Sequence, residues 1–365
     1  MKKVVLALLL VLLPSQLGYH FWPDWSLING IRVDYLSPTV YFTDLIILVL
    51  FGFSRLRVRF PFAIIVFAVL NISISISISP LLSVYKWLRV YEYYWLYRYL
   101  VTQGSLTFIR RWLSPAILWT SLLALLQFMM QRSLGGGWYW LGERTFDITT
   151  GGIAKVFIPA WGMMVRPYAT LPHPNALAGW LLVAGLIVGN WPQAISWLTI
   201  PFTFSRSATL LLPTLLWRKS KVATVFLISI LFALFSNLGN PNSFYERQVL
   251  VSQSLQIIKQ HLWLGVGLGN FVYWVPIIRQ PVHNIYLLLV AELGLPAFLL
   301  LSYLAIKSLS HSLRIVNWSL RIAIISILII GMVDHYWLTL PQNILLLVVV
   351  TATVKIMSNE AHNPL

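Results

Sequence analysis

The residues equipped for chemistry are few and stand out from an apolar background. In "PVHNIYLLLVAELG", His283 and Asn284 open an apolar run and Glu292 lies inside it. A histidine at a helix start suits general acid–base work near neutral pH. The free amides and positive dipole end of that helix favour a negative substrate group. A plain helix cap is the competing reading. Glu292 lies nine residues further on, on the opposite face and about 13 Å along the axis. It therefore forms no same-face dyad with His283 and reads as a buried structural partner.

Three arginines could hold an anion: Arg166 in "VRPYATLPHPNALAGW", Arg206 in "FTFSRSATL" and Arg247 in "YERQVLVSQSLQIIKQHLWLGVGLGNF". The guanidinium is planar, permanently charged and matched to phosphate oxygens. Arg206 sits among apolar residues, where a charge is either functional or paired with a buried carboxylate such as Glu292 or Asp334. On a helical projection Phe244, Val251, Leu255, Ile258 and Leu262 form a stripe widened by Leu250 and Ile257, and Arg247 falls inside it. Either Arg247 snorkels along a membrane surface, or it faces inward to meet an anion. Pro172, Pro174 and Asn175 signal a helix start with Asn175 as a candidate N-cap, and His173 reads as a loop residue. Asp334 ends a late apolar run.

Other chemistries are excluded or unsupported. The chain has no cysteine, which removes thiol nucleophiles, disulfides and thiolate metal sites. The seven histidines are scattered without metal-ligand spacing, so no metal and no cofactor is expected. "GVGLGN" (Gly265–Asn270) has no strand before it and no lysine after it, and reads as a turn rather than a nucleotide loop.

The elements that must position these residues follow from composition. The 365 residues are 58% hydrophobic and 10% charged, with a mean hydropathy of +0.78. That balance predicts an all-α polytopic membrane protein, a single integral membrane domain over 1–365. Twelve transmembrane spans are expected near 4–20, 39–53, 60–79, 81–101, 112–130, 174–190, 192–205, 207–217, 221–237, 284–306, 318–333 and 340–356. The segment 81–101 also suits the interface, and 207–217 suits half of a broken pair. The start, "MKKVVLALLLVLLPSQLG", resembles a signal peptide but reads as an uncleaved first helix. "NISISISISP" alternates like a strand but is expected to be helical, because a lone strand in lipid leaves its backbone unpaired.

The net charge of +16 does not indicate nucleic acid. Its basic residues cluster between apolar runs, and fifteen of the 26 fall on one side of this topology against one acidic residue, Glu360. The positive-inside rule then places both termini in the cytoplasm. Two segments lie on the opposite, outer face, about 131–173 and 238–283, and the unusual polar residues gather there.

"RPYATLPHPNALAGWLL", "FSRSATLLL", "YERQVLVSQSLQIIKQHLWLGVGLGNF", "VHNIYLLLVAELGLPAFLL" and "GMVDHYWLTLPQ", in that order, resemble the O-antigen ligase and O-antigen polymerase superfamily over about 140–345. The resemblance implies a GT-C-type glycosyltransferase of the bacterial plasma (inner) membrane. Such an enzyme moves a glycan from a polyprenyl-diphosphate carrier to an acceptor hydroxyl on the outer face, inverting at the anomeric carbon without metal. It implies that Arg166, Arg206 and Arg247 hold the diphosphate and that His283 acts as base; Asn175, Asn284, Glu292 and Asp334 are expected as supporting residues from their own positions. The implied acceptor is a glycan, a lipid or a protein. A polymerase that extends the lipid-linked glycan is the neighbouring reading. A transporter or flippase of the same lipid is the reading from another class, and a structural membrane subunit is a further one.

Overall fold

The computed structural model describes residues 1–75, 78–159, 161–216, 241–276 and 278–362. The chain is mostly helical. Its helices are α1 (Lys2–Val11), α2 (Phe42–Phe53), α3 (Phe62–Ile74), α4 (Pro80–Gln103), α5 (Leu106–Met130), α6 (Pro174–Val188) and α7 (Asn190–Thr199). They continue with α8 (Arg206–Leu216), α9 (Pro241–Gln260), α10 (Ile285–Leu293), α11 (Leu295–Ile315), α12 (Trp318–Gly331), α13 (Tyr336–Thr339) and α14 (Pro341–His362).

The expectation of twelve spans is overturned. Among the described residues, two helices are long and apolar enough to cross a membrane, α5 and residues Pro341–Ala361 of α14. A helix rises 1.5 Å per residue, so crossing about 30 Å of hydrocarbon takes about 20 residues. Several of the apolar runs are cut short by backbone features that hydropathy does not register. The first stops at Val11, ahead of Pro14, and the chain then enters a strand. The run 39–53 begins as a strand and leaves a 12-residue α2. The run 174–190 ends at Gly189 after 15 residues. The run 284–306 is divided at Gly294, φ +81°, into α10 and α11. Of the run 207–217, residues 207–216 fall within the 11-residue α8 and 217 lies outside the described residues. Helix α4 has the length, at 24 residues, but carries Lys86, Arg89, Glu92 and Arg98. The expected span at 221–237 lies outside the described residues.

The expectation of an all-α chain is also corrected. Three two-stranded antiparallel ribbons are present: β1 (Gly18–His20) with β4 (Thr39–Tyr41), β2 (Leu27–Ile28) with β3 (Ile31–Arg32), and β5 (Lys155–Ile158) with β6 (Gly162–Val165). Short reversals between helices satisfy their backbone groups by local pairing, which a helix-or-loop reading passes over.

Helix α6 is the hub. It is apolar all round and buried along nearly its whole length, as a helix enclosed by others must be. It packs against α5, α7, α8, α12 and α14. Gly179 lets Tyr336 lie directly on it, because a Cβ there would run into Tyr336 Oη. This cluster also takes in residues of α1, α2 and α4. A second cluster gathers Leu250 and Ile257 of α9 with Val282, Leu288 and Ala291 around α10, beneath Ile28 and Leu36. The "GVGLGN" turn closes it. Gly265, Gly267 and Gly269 all have positive φ, and the Val266 and Gly267 N–H groups donate to the Ala291 and Glu292 carbonyls.

Candidate functional site

The site lies where the two clusters meet. One side comes from elements around α6 and the other from α9 and the start of α10. The N-cap of α6 is His173, whose Nδ1 accepts from the Asn175 N–H at 3.1 Å. This corrects the reading of Asn175 as the cap and frees its side chain. Asn175 Nδ2 donates to Asp334 Oδ2 at 3.2 Å, and its Oδ1 accepts from Arg166 at 2.6 Å. Arg166, just past β6, also donates through Nε to the Thr203 carbonyl at 2.8 Å. That carbonyl precedes by three residues Arg206, the exposed first residue of α8.

The opposite side supplies the other groups. Asn284 caps α10 by accepting from the Tyr286 and Leu287 N–H groups, each at 3.0 Å, and donates to the Met332 carbonyl. His283 is therefore the residue just before the cap. Its Nδ1 lies 3.5 Å from Asp334 Oδ1, a long contact, and it has no formed hydrogen bond. Arg247 donates to the Val333 carbonyl at 2.6 Å, next to Asp334. The projected stripe on α9 is corrected, because Phe244, Val251 and Leu255 are exposed. The buried face is Leu250, Ser254 and Ile257, and Arg247 is one turn ahead of Leu250. Arg247 thus faces inward, toward the end of α12.

Six of the eight residues singled out in the sequence converge here: Arg166, Arg247, His283, Asn175, Asn284 and Asp334. Arg206 is exposed but near enough to Arg166 to act on its charge. Glu292 does not join them. It is buried in the second cluster, where its carboxylate accepts from Tyr35 Oη at 2.8 Å and the Phe271 N–H at 3.2 Å. The pairing of Arg206 with Glu292 is accordingly set aside.

One site residue, His335, was not picked out from the sequence, and His173 was read there only as a loop residue. His335 follows Asp334, with its ring 5.0 Å from that of His283 and its Nδ1 2.7 Å from Thr339 Oγ1. Adjacent aspartate and histidine at the end of an apolar run was the available signal. His173 is exposed at its surface but lies close to the charges of Arg166 and Asp334. Its signal was only its place before Pro174.

The electrostatics follow from enclosure and crowding. Burial, opposed by Asp334 and reinforced by His283 and Arg247, pushes His335 down to about 4. Enclosure and the Arg166 charge hold His173 below the ordinary histidine value as well. For Asp334 burial favours the neutral acid, but the close His283 imidazole, with His335 and His173 nearby, outweighs it and holds the carboxyl below its usual range. Enclosure, aided by Arg206, lowers Arg166 to about 10, which leaves it cationic at neutral pH. The result is one carboxylate among three imidazoles, with guanidiniums close by. Such a site can bind an anion and accept a proton beside it. His283, Asp334 and His335 also offer ligand atoms within 4.8 Å of one another. That spacing could hold a metal ion, but the neighbouring guanidiniums oppose a cation there.

The chain matches no family model, no curated protein and no solved structure.

Proposed function

We propose that this protein is a membrane glycosyltransferase that moves a glycan from a polyprenyl-diphosphate carrier to an acceptor hydroxyl, in the manner of the O-antigen ligase and polymerase superfamily that its motifs resemble. The reading rests chiefly on one observation: Arg166 reaches Asp334 through Asn175 and Arg247 binds the carbonyl beside it, so two guanidiniums from separate segments flank the His283–Asp334 pair, with Arg206 near Arg166. In the proposed reaction the guanidiniums hold the diphosphate and stabilise the charge it gains as the glycosidic bond breaks. His283 takes the proton of the attacking hydroxyl, and Asp334 steadies the imidazolium that forms. Displacement from the face opposite the diphosphate inverts the anomeric centre. No metal is required by this scheme.

A membrane setting, with the site near one surface of a bacterial plasma membrane, belongs to the same proposal. It is supported by α5 and α14, and by apolar side chains turned outward on α2 (Leu45, Leu48, Phe51) and on α11 (Leu299, Leu300, Leu304). An outward apolar surface of that kind marks contact with lipid or another apolar partner.

The test is a transfer assay with purified protein in lipid and a polyprenyl-diphosphate-linked oligosaccharide. Release of polyprenyl diphosphate with a single transfer to an added acceptor supports the ligase form. A ladder of lengthening glycans supports the polymerase form. Donor binding without release of polyprenyl diphosphate in any acceptor mixture refutes both and favours a carrier of the same lipid.

A further inference from the structure

The segment that follows α5 carries exposed aromatic residues on a rigid mount. Helix α5 ends at Met130, and Gln131 turns the chain in the left-handed region, φ 54°. Gln131 Oε1 then accepts from the Val165 N–H at 2.6 Å, fastening β6 to the end of α5. One turn earlier, Gln127 accepts from the Tyr168 and Ala169 N–H groups and donates to Glu143. Glu143 in turn accepts from the Leu134 and Gly135 N–H groups. These buried bonds fix the β5–β6 ribbon, and Arg166 beyond it, at the level of the C-terminal end of α5.

The ribbon is amphipathic in a way its own packing does not use. Val156 and Val165 are buried. Phe157 and Met163 are paired directly across the ribbon and both are exposed, and Trp161 at the turn is 65% exposed. Tyr139 and Trp140, in the 3-10 turn Gly136–Leu141, are exposed as well, Trp140 at 70%. Around them Arg132, Arg144 and Lys155 are exposed against one exposed acid, Asp147. Tyrosine and tryptophan concentrate at the level of lipid headgroups, and lysine and arginine beside them favour anionic lipid.

We propose that residues 131–165 form an interfacial anchor, with Phe157, Trp161, Met163, Tyr139 and Trp140 seated in the headgroup layer of an anionic bilayer. This inference rests on the reading of α5 as a membrane span. The anchor sets Arg166 at headgroup depth, the level at which the diphosphate of a polyprenyl lipid travels. Loss of the anchor lowers capture of a lipid-borne donor and leaves the fold intact.

The absence of cysteine allows a direct test on the full chain. Trp161→Cys, Phe157→Cys, Leu122→Cys and Asp147→Cys are spin-labelled singly and reconstituted in vesicles of phosphatidylcholine and phosphatidylglycerol. Accessibility to oxygen and to a water-soluble nickel chelate is then measured by power saturation. Leu122, exposed on α5, reports the span, and Asp147 reports water. The two ribbon positions guard against a single label that disturbs the hairpin. The expected result is a Leu122 label reached by oxygen alone, an Asp147 label reached freely by nickel, and ribbon labels favouring oxygen at an intermediate depth. Ribbon labels that behave like Asp147 while Leu122 is in lipid overturn the anchor and leave the span standing. A Leu122 label in water overturns the span and the anchor with it. Ribbon labels shielded from both reagents place a protein surface over the hairpin, a second copy or another partner, and also overturn the anchor.

Discussion

Replacing Asp334 by Asn separates charge from shape at the centre of the site. Asp334 Oδ1 lies 3.5 Å from His283 Nδ1, and the His283 side chain is 22% exposed. At an effective dielectric of about 20, opposite unit charges at that separation attract by about 5 kcal/mol. With solvent reaching the imidazole and guanidiniums opposing, about half of that survives, about 2–3 kcal/mol. The attraction exists only when His283 carries the proton taken from the acceptor, so it acts on the transition state. Asp334→Asn should therefore lower kcat about 30- to 150-fold, at 1.36 kcal/mol per tenfold. Donor binding should be unchanged or tighter, because a negative charge leaves the diphosphate site. The variant also sets its Nδ2 against that of Asn175, whose Oδ1 is held by Arg166. One lost hydrogen bond costs about 1 kcal/mol of stability. The assay is release of polyprenyl diphosphate in lipid with KM and kcat separated, beside a direct donor-binding titration. A kcat within about twofold of wild type, or equal losses in kcat and donor affinity, would refute the reasoning.

Three further outcomes follow from the geometry. Glu292→Gln should lower thermal stability by about 1–2 kcal/mol, since one of the two oxygens of the carboxylate that serves the buried Tyr35 and Phe271 donors is replaced by an amide nitrogen. Transfer and donor binding should be retained, and loss of donor binding in a folded variant would contradict the structural role. Gly294→Ala should destabilise by about 1 kcal/mol or more, because Gly294 has φ +81° and a Cβ would run into the Trp263 carbonyl. Gly52→Ala, in α2 with open space around it, is the control and should leave melting unchanged or raised. Stability should also fall in acid. The folded state holds His335 at about 4 against about 6.5 unfolded, so between those values the unfolded chain binds more protons and stability drops as pH falls. The depressed Asp334 adds a loss at lower pH, when its carboxylate is finally protonated. Melting temperature should decline from pH 7 to pH 5, less steeply in His335→Gln, and a slope shared equally by both proteins would remove His335 as the cause.

The site was more legible than the fold. Arg206 was singled out as a charge among apolar residues but is exposed. Charged and polar residues that are enclosed in an apolar chain carry a large desolvation cost, so Arg166, Arg247 and Asp334 announce themselves singly. Their meeting around His283 depends on tertiary packing, yet the partners were limited because so few polar residues were on offer. Glu292 failed to join them for the reason already visible in its helical phase, opposite His283. The spans were misread because hydropathy counts side chains and ignores φ. Gly294 and Gly189, and Pro14 just beyond α1, divide or end runs that look continuous. The face of α9 was misjudged for a different reason. Phe244, Val251 and Leu255 are apolar but turned outward, so apolarity alone did not reveal which side was inside. His335 was overlooked because adjacency to Asp334 carries no periodic signal.

The most direct test of the central claim compares wild type with His283→Ala in a single-turnover experiment on prebound, labelled polyprenyl-diphosphate oligosaccharide. A positioned base contributes about 10²–10⁴-fold, so the variant should bind donor as wild type does and transfer glycan slower by that factor. Transfer at the wild-type rate from the folded variant would contradict the account, whatever the arginines bind.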